Sequence, residues 1–213
     1  MLYESFKVLA KLVISSQFKV IIKGKENLSL DQPVVIASNH VSGYDPIVLS
    51  CVIDGEIHFL AKKELFKNRL LRWLLTNINA IPVDRHGGNV IRPVRKGLRV
   101  LNEGGLLGVF PEGTRCKSDQ VVQPKKGVAF FSFKTATPVL PIYITYDQRR
   151  YRPIVKVNIG EAIDPIHYQD LDYSGFASLV MESVMELKSN PSNANDRTEV
   201  VFGENQQKGI NDL

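Results

Sequence analysis

"PVVIASNHVSGYDP", residues 33–46, is the stretch on which the fold turns. Residues 33–38 form a continuous apolar run of strand length, the pattern of a strand buried on both faces of a sheet. The chain turns polar at Asn39-His40. It then offers Gly43 for a tight turn, Asp45 as a favoured N-cap and Pro46 for the first helical position. The stretch therefore reads as strand, polar turn, helix.

Outward from it the same alternation recurs. Strand-length apolar runs stand at "IHFLA" (57–61), "INAIPV" (78–83), "LLGVF" (106–110), "VLPIYI" (139–144) and "IVKVNIG" (154–160). Upstream, "FKVIIKGKENL" alternates apolar and polar residues up to Gly24, the pattern of a half-exposed strand. Helical spacing fills the gaps: "DPIVLSCVI", then "KNRLLRWLLTN" with Leu70, Trp73 and Leu74 on one face. In "NVIRPVRKGLRVLNEGG", Ile91, Val94, Leu98 and Leu101 share a face, Asn89 is the expected N-cap and Gly104 the expected stop. The opposite face holds Arg92, Arg95, Lys96 and Arg99. Residues 124–136 and 173–190 complete the helices. The pattern predicts an α/β fold: a single domain over 17–188, with a mostly parallel central sheet flanked by helices.

Residues 1–16 read as an amphipathic N-terminal helix, with Leu2, Phe6, Leu9 and Val13 in the apolar stripe, Leu12 and Ile14 widening it, and Lys7 and Lys11 outside it. It is expected to pack partly on the core and partly against a membrane. Residues 189–213 are polar and aperiodic and are expected to form a mobile tail.

Composition narrows the function. A hydrophobic share of 44% and a charged share of 23% are those of a globular chain. Two cysteines, four histidines and no CxxC or HExxH spacing argue for a reducing compartment and against a disulfide scaffold or a metal site. No apolar run approaches the roughly 18–20 residues of a membrane span, and the start lacks the pattern of a signal peptide. The formal charge of +5 is concentrated: between Lys62 and Arg99 ten lysines and arginines stand against Glu64 and Asp84, whereas from Ser189 onward two basic residues stand against four acidic ones. Such a segment points to an anionic partner. Nucleic acid fits poorly, because the basic residues lack interleaved aromatics and no recognition motif is present.

His40 and Asp45 lie about 140° apart on any helix, so they meet only if the chain folds back after the strand. Asp45 would then hold the imidazole Nδ1–H and leave Nε2 as a free base. A His and an Asp at this separation are common by chance, so the pair gains weight only from its company. "LLGVFPEGTR" runs a buried strand into Glu112, Gly113, Thr114 and Arg115, which offer a charge, backbone amides, a hydroxyl and a phosphate-matching fork. "AIPVDR" delivers Arg85 in the same way. A structural ion pair, such as Arg115 with Asp45 or Glu112, is the alternative reading. In a parallel sheet all these strand exits share one edge, where open α/β folds bind ligands.

"NHVSGYD" (39–45), "IPVDR" (81–85), "FPEGTR" (110–115) and "TPVLPIYI" (137–144) resemble the four successive motifs of the glycerolipid acyltransferase family. Their order and spacing are similar to those of bacterial 1-acylglycerol-3-phosphate (lysophosphatidic acid) acyltransferases, over about residues 17–162. "GKENL", "AKKEL" at 61–65 and "KKGVAF" at 125–130 extend the match. The resemblance implies His40 as general base, Asp45 as its orienting carboxylate, and Arg85, Glu112, Gly113, Thr114 and Arg115 as the site of the acceptor phosphate. It implies that Lys62 contacts the reacting thioester or its oxyanion. Ala80 departs from the family, which often has Gly there, and the region before residue 17 is shorter than the anchoring helices of many relatives.

The implied reaction moves an acyl group from acyl-CoA or an acyl-carrier protein to lysophosphatidic acid, without a cofactor, at an anionic membrane surface. The implied location is the cytoplasmic face of a membrane, peripheral or monotopic. Two alternatives stay open: the same fold acting on glycerol 3-phosphate or another lysophospholipid, and a catalytically silent lipid-binding module.

Overall fold

The computed structural model describes residues 2–28, 32–84, 91–116, 122–147, 152–189 and 199–202. Strand β2, Val34–Ser38, is buried at every position, as a run without a polar residue until Ser38 requires. Around it, in chain order, stand α1 (Leu2–Gln17), β1 (Lys19–Lys23), α2 (Asp45–Val52), β3 (Ile57–Lys62), α3 (Arg69–Asn77), β4 (Ile81–Val83), α4 (Ile91–Asn102) and β5 (Leu106–Val109). Then follow α5 (Gly127–Thr135), β6 (Val139–Asp147), β7 (Ile154–Ile159), α6 (Tyr173–Ser189) and β8 (Glu199–Phe202).

The strands form one sheet of order β4-β3-β5-β2-β6-β7-β1-β8. Neighbours from β4 to β6 are parallel, as is β1 with β7. Two pairs are antiparallel, β6 with β7 and β1 with β8. The first follows from the short connection: Asp147 to Ile154 leaves no room for a crossover helix, so the chain returns as a neighbouring antiparallel strand.

The crossovers sort the helices. Moving from β2 to β3 and on to β4 in one direction keeps α2 and α3 on one face of the sheet under the right-handed rule; stepping back from β4 to β5 and then to β6 puts α4 and α5 on the other. The core agrees. One cluster joins Ala10 and Ile14 of α1 and Val48, Leu49 and Val52 of α2 to the sheet. The other joins Leu101 of α4, Phe131 of α5 and Phe176 and Val180 of α6 to its reverse face.

Several details differ from the sequence reading. In α1 the core takes Tyr3, Lys7, Ala10 and Ile14, while Leu9, Leu12 and Val13 face outward with Val8. Small Ala10 allows close approach, and Lys7 is buried because its Nζ donates to Ile53 O at 2.8 Å and lies 3.5 Å from Asp54. α3 starts where Asn68 Oδ1 accepts from Leu70 and Leu71 N–H, yet none of its residues is buried. Leu70 is 73% exposed and Trp73 57%. In α4, Leu101 is buried as expected, but Ile91 is exposed, and Pro93, Gly97 and Val100 are buried beside Leu101. Gly104 ends this helix region at φ +84 as expected, and Asn89 lies outside the described residues. Within the predicted mobile tail, Glu199 and apolar Val200, Val201 and Phe202 form β8, which pairs with β1 across a register shift at Val20/Ile21; the other residues from 190 on lie outside the described set.

Gly108 in β5 marks the tightest point of the sheet. A Cβ there would stand 2.3 Å from the Phe59 ring and 3.1 Å from Ile57. Gly108→Ala should therefore lower unfolding stability by about 1–3 kcal/mol, the usual penalty for overpacking, as read by urea denaturation.

Candidate active site

At the end of β2 the Asn39 side chain takes over the ladder. Its Nδ2 donates to Ile144 O at 2.8 Å and its Oδ1 accepts from Ile144 N–H at 2.7 Å. The main chain is thereby released to turn, and the next residue is His40. Its Nδ1 lies 2.9 Å from Asp45 Oδ2. That oxygen also accepts the Val41 and Ser42 amides at 2.8 Å each, while Oδ1 accepts the Tyr146 hydroxyl at 2.8 Å. Asp45 has no exposed side-chain surface. A buried carboxylate that accepts from every side assigns the Nδ1 proton to His40, and Nε2 is left to act on something else. Burial and the Asp45 charge push the Tyr146 phenol well above its ordinary value, so it remains a donor.

The sequence reading had Asp45 capping α2. Asp45 is instead the first residue of that helix and caps the preceding turn, so one oxygen holds both imidazole and amides; α2 has no side-chain cap. Gly43 likewise has a different reason from turn geometry. It does not adopt positive φ, and a Cβ there would stand 3.2 Å from a guanidinium nitrogen of Arg115. Glycine leaves the space that Arg115 occupies.

The exit of β5 clamps His40 from the other side. Phe110 stacks on the imidazole with centroids 4.2 Å apart. Glu112 Oε2 accepts the His40 N–H at 3.2 Å, and the Cys116 N–H donates to His40 O at 2.9 Å. Burial pushes the Glu112 carboxyl above its usual range, an effect opposed by its bonds to His40 N–H and Cys116. The Cys116 thiol is raised too, by burial and then by Glu112. Gly113 sits at φ +70, and its N–H donates to Phe110 O at 2.9 Å, so this amide closes the turn. A Cβ on Gly113 would stand 2.4 Å from Lys125 Cε.

A cavity of about 640 Å³ opens at this edge. The strand-exit loops give it His40, Lys62, Gly113, Thr114, Arg115 and Lys125; α3 gives it Leu71, Leu74 and Leu75. Ala80 lines it as well. The structure thus brings His40, Asp45, Lys62, Gly113, Thr114 and Arg115 to one place. Glu112 points away from the lining and holds the His40 loop, because a buried carboxylate needs the donors it finds there. Arg85 lies outside the described residues. Among the described residues no carboxylate stands within ion-pair distance of Arg115, so the structural pairing with Asp45 or Glu112 is not formed.

Four participants carry no assigned role in the sequence analysis. Phe110 and Lys125 lay inside quoted motifs, and Asn39 directly precedes His40. Tyr146 had no signal, being 101 positions from its partner. Chemically, the assembly offers an oriented base beside an apolar cavity with three cations at its wall. It can remove a proton from a hydroxyl on a molecule that is part anion and part hydrocarbon.

The acyltransferase family model matches residues 19–145. The chain belongs to the acyltransferase family. It is 35% identical over 132 residues to the 1-acyl-sn-glycerol-3-phosphate acyltransferase of Bacillus subtilis (strain 168), covering 62% of this chain and 65% of that protein. It therefore spans just under two thirds of that relative's length. Its identity to the 1-acyl-sn-glycerol-3-phosphate acyltransferase of Borreliella burgdorferi is 30% over 177 residues, 79% of this chain and 71% of that one. The crystal structure of the 1-acyl-sn-glycerophosphate (LPA) acyltransferase PlsC from Thermotoga maritima superposes with a TM-score of 0.72 at 24% identity, covering 92% of this chain and 80% of that chain. That likeness establishes the shared fold.

The hydrogen bonds rank two substitutions. Asp45→Ala strands the Val41 and Ser42 amides and the Tyr146 hydroxyl, at about 1–3 kcal/mol for each group left buried and unpaired. His40→Ala leaves three donors on the carboxylate. Thermal unfolding should show Asp45→Ala as much the less stable of the two.

Proposed function

We propose that the chain transfers a fatty acyl group from a thioester to the free hydroxyl of 1-acylglycerol 3-phosphate, giving phosphatidic acid. The observation that carries this reading is the fixed His40 with an open Nε2 on a cavity that is basic on one wall and leucine-rich on the other. Nε2 takes the hydroxyl proton as the oxygen bonds to the thioester carbonyl carbon. The C–S bond then breaks, and the departing thiolate takes that proton back from the imidazolium. Arg115 holds the acceptor phosphate, with Arg85 as its sequence-assigned partner, and Thr114 and Lys125 stand beside it. Lys62 faces the developing oxyanion. Holding the acceptor by its phosphate places the hydroxyl at the base, and positioning of this kind supplies several kcal/mol. No cofactor takes part in these steps.

The names of the similar proteins favour lysophosphatidate over glycerol 3-phosphate as acceptor. The leucine wall of α3 supports the same choice, since it suits an acceptor that itself carries a chain. An intact His40–Asp45 pair speaks against a silent lipid-binding module.

Such a substrate resides in a bilayer, and the apolar surfaces of α1 and α3 support membrane docking. Leu12 is 63% exposed and Leu70 73%, with Val8, Leu9 and Trp73 around them and the exposed Arg69 and Arg72 on α3. Among the described residues no helix is long and apolar enough to cross a membrane.

Four measurements test the proposal. With lysophosphatidate and palmitoyl-CoA or palmitoyl-acyl-carrier protein, product mass spectrometry should find phosphatidic acid from at least one donor. His40→Ala should lose about a hundredfold or more in turnover; near-normal transfer refutes the base assignment. Arg115→Ala should raise the acceptor KM about tenfold with kcat little changed. Leu70→Asp with Trp73→Asp should abolish flotation with phosphatidylglycerol-containing liposomes, and undiminished flotation refutes the docking face.

A further inference from the structure

We infer that the outer face of α4 is a docking surface for an acidic acyl-carrier protein, which presents the acyl thioester to His40 on a pantetheine arm. The inference rests on the acyltransferase reading and names the donor that this chain is built to receive.

The segment from Lys62 to Arg99 looked like one basic surface in the sequence. The fold divides it. Lys67, Arg69 and Arg72 accompany the exposed leucines of α3, whereas Arg92, Arg95, Lys96 and Arg99 lie on α4, whose packing partners are α5, β4 and β5 on the reverse face of the sheet. A bilayer that meets α1 and α3 leaves α4 turned away from it, so anionic lipid does not account for this second set.

All four α4 cations are exposed. Arg99 pairs with Glu103 at 2.7 Å, and no carboxylate among the described residues stands within ion-pair distance of the other three. Like charges three and four positions apart disfavour a helix, and a face required only for solubility would mix signs, as α6 does with Glu182, Glu186 and Lys188. The cost persists on a helix that is held firmly. A Cβ at Gly97 would stand 2.6 Å from the Phe131 ring, so α4 seats directly on α5. The cations are thereby displayed in a fixed row.

The shape of the α4 face does not suit a small anion. From Arg92 to Arg99 the row runs about 10 Å along a convex helix, and neither described cavity includes a residue of α4. A nucleotide-sized anion such as free CoA is held in a concavity; a row of cations on a helix fits the acidic surface of a protein. The direction also suits delivery. β4 runs parallel to β3 and β5, so α4 begins at the strand-exit edge, the edge that carries His40. Arg92 therefore stands at the end of the row from which an arm would enter the cavity.

The test titrates purified holo-acyl-carrier protein into the full chain and into the triple variant Arg92→Glu, Arg95→Glu, Lys96→Glu, at low and high salt. The expected result is saturable binding by the wild type, weakened about tenfold or more by the charge reversal and weakened by salt. Binding that is absent in the wild type, or unchanged in the variant, overturns the inference. Flotation with phosphatidylglycerol liposomes should be the same for both proteins; a variant that loses liposome binding but keeps carrier binding also overturns it, by showing the face to be a lipid surface. Circular dichroism and the turnover of palmitoyl-CoA, where the wild type uses it, confirm that the variant is folded. The two readings fail separately: carrier binding through α4 without phosphatidate formation would sink the proposed reaction alone, and phosphatidate formation from palmitoyl-acyl-carrier protein indifferent to the three reversals would sink the docking face alone.

Discussion

A carboxylate with no exposed surface joins the parts of this site. Asp45 accepts from an imidazole, two main-chain amides and a phenol, and so large a set of donors is what a buried charge requires. Its partners come from the exit of β2, the turn before α2 and the far end of β6. The carboxylate can be buried only when those elements are assembled, and the orientation of His40 is a consequence of its burial. The imidazole is pinned at Nδ1 by Asp45, across its ring by Phe110 and at both main-chain polar groups by Glu112 and Cys116. Only Nε2 is left over for chemistry.

The sheet separates two environments. One face ends in α1 and α3, whose leucines, valines and tryptophan remain exposed. The other carries α4, α5 and α6, with α4 basic on its outside. The strand-exit edge lies between them and holds the reacting groups. α3 serves both sides of its position: Leu71, Leu74 and Leu75 face the cavity while Leu70 and Trp73 face out. Exposed apolar surface of this extent marks an interaction face.

Much of this was legible in the sequence, because the signals were local. The β2 run, the helix after Pro46 and the spacing of strand and helix all express short-range periodicity, and the parallel arrangement follows from crossover lengths. What periodicity could not decide was which apolar stripe faces inward when a helix has two. In α1 the sequence favours the bulkier residues, Leu9, Leu12 and Val13, but the sheet takes Ala10 and Ile14 with Lys7 stretched to the Ile53 carbonyl. α3 posed the same choice. Within the site, His40, Asp45 and the loop 112–115 were readable because each follows a strand. Tyr146 was not, since its role depends on where β6 ends relative to β2, a matter of register rather than of motif. Gly43 was read as a turn former when it is a space for Arg115, since a backbone reason and a packing reason for glycine look identical in one dimension.

Glu112 shows how far a motif can be read without its geometry. In "FPEGTR" it adjoins the phosphate-matching residues, and adjacency alone assigns it to the same task. A carboxylate beside a phosphate would oppose the anion that Arg115 is proposed to hold. The turn resolves the conflict. Gly113 at positive φ reverses the chain between Glu112 and Thr114, so that Glu112 points inward to the His40 N–H while Thr114 and Arg115 reach the cavity. The space above Gly113 admits Lys125, which adds a cation on the cavity side of the turn. One six-residue loop therefore sends its negative charge to hold His40 and its positive charge into the cavity, and the left-handed glycine between them is what allows both.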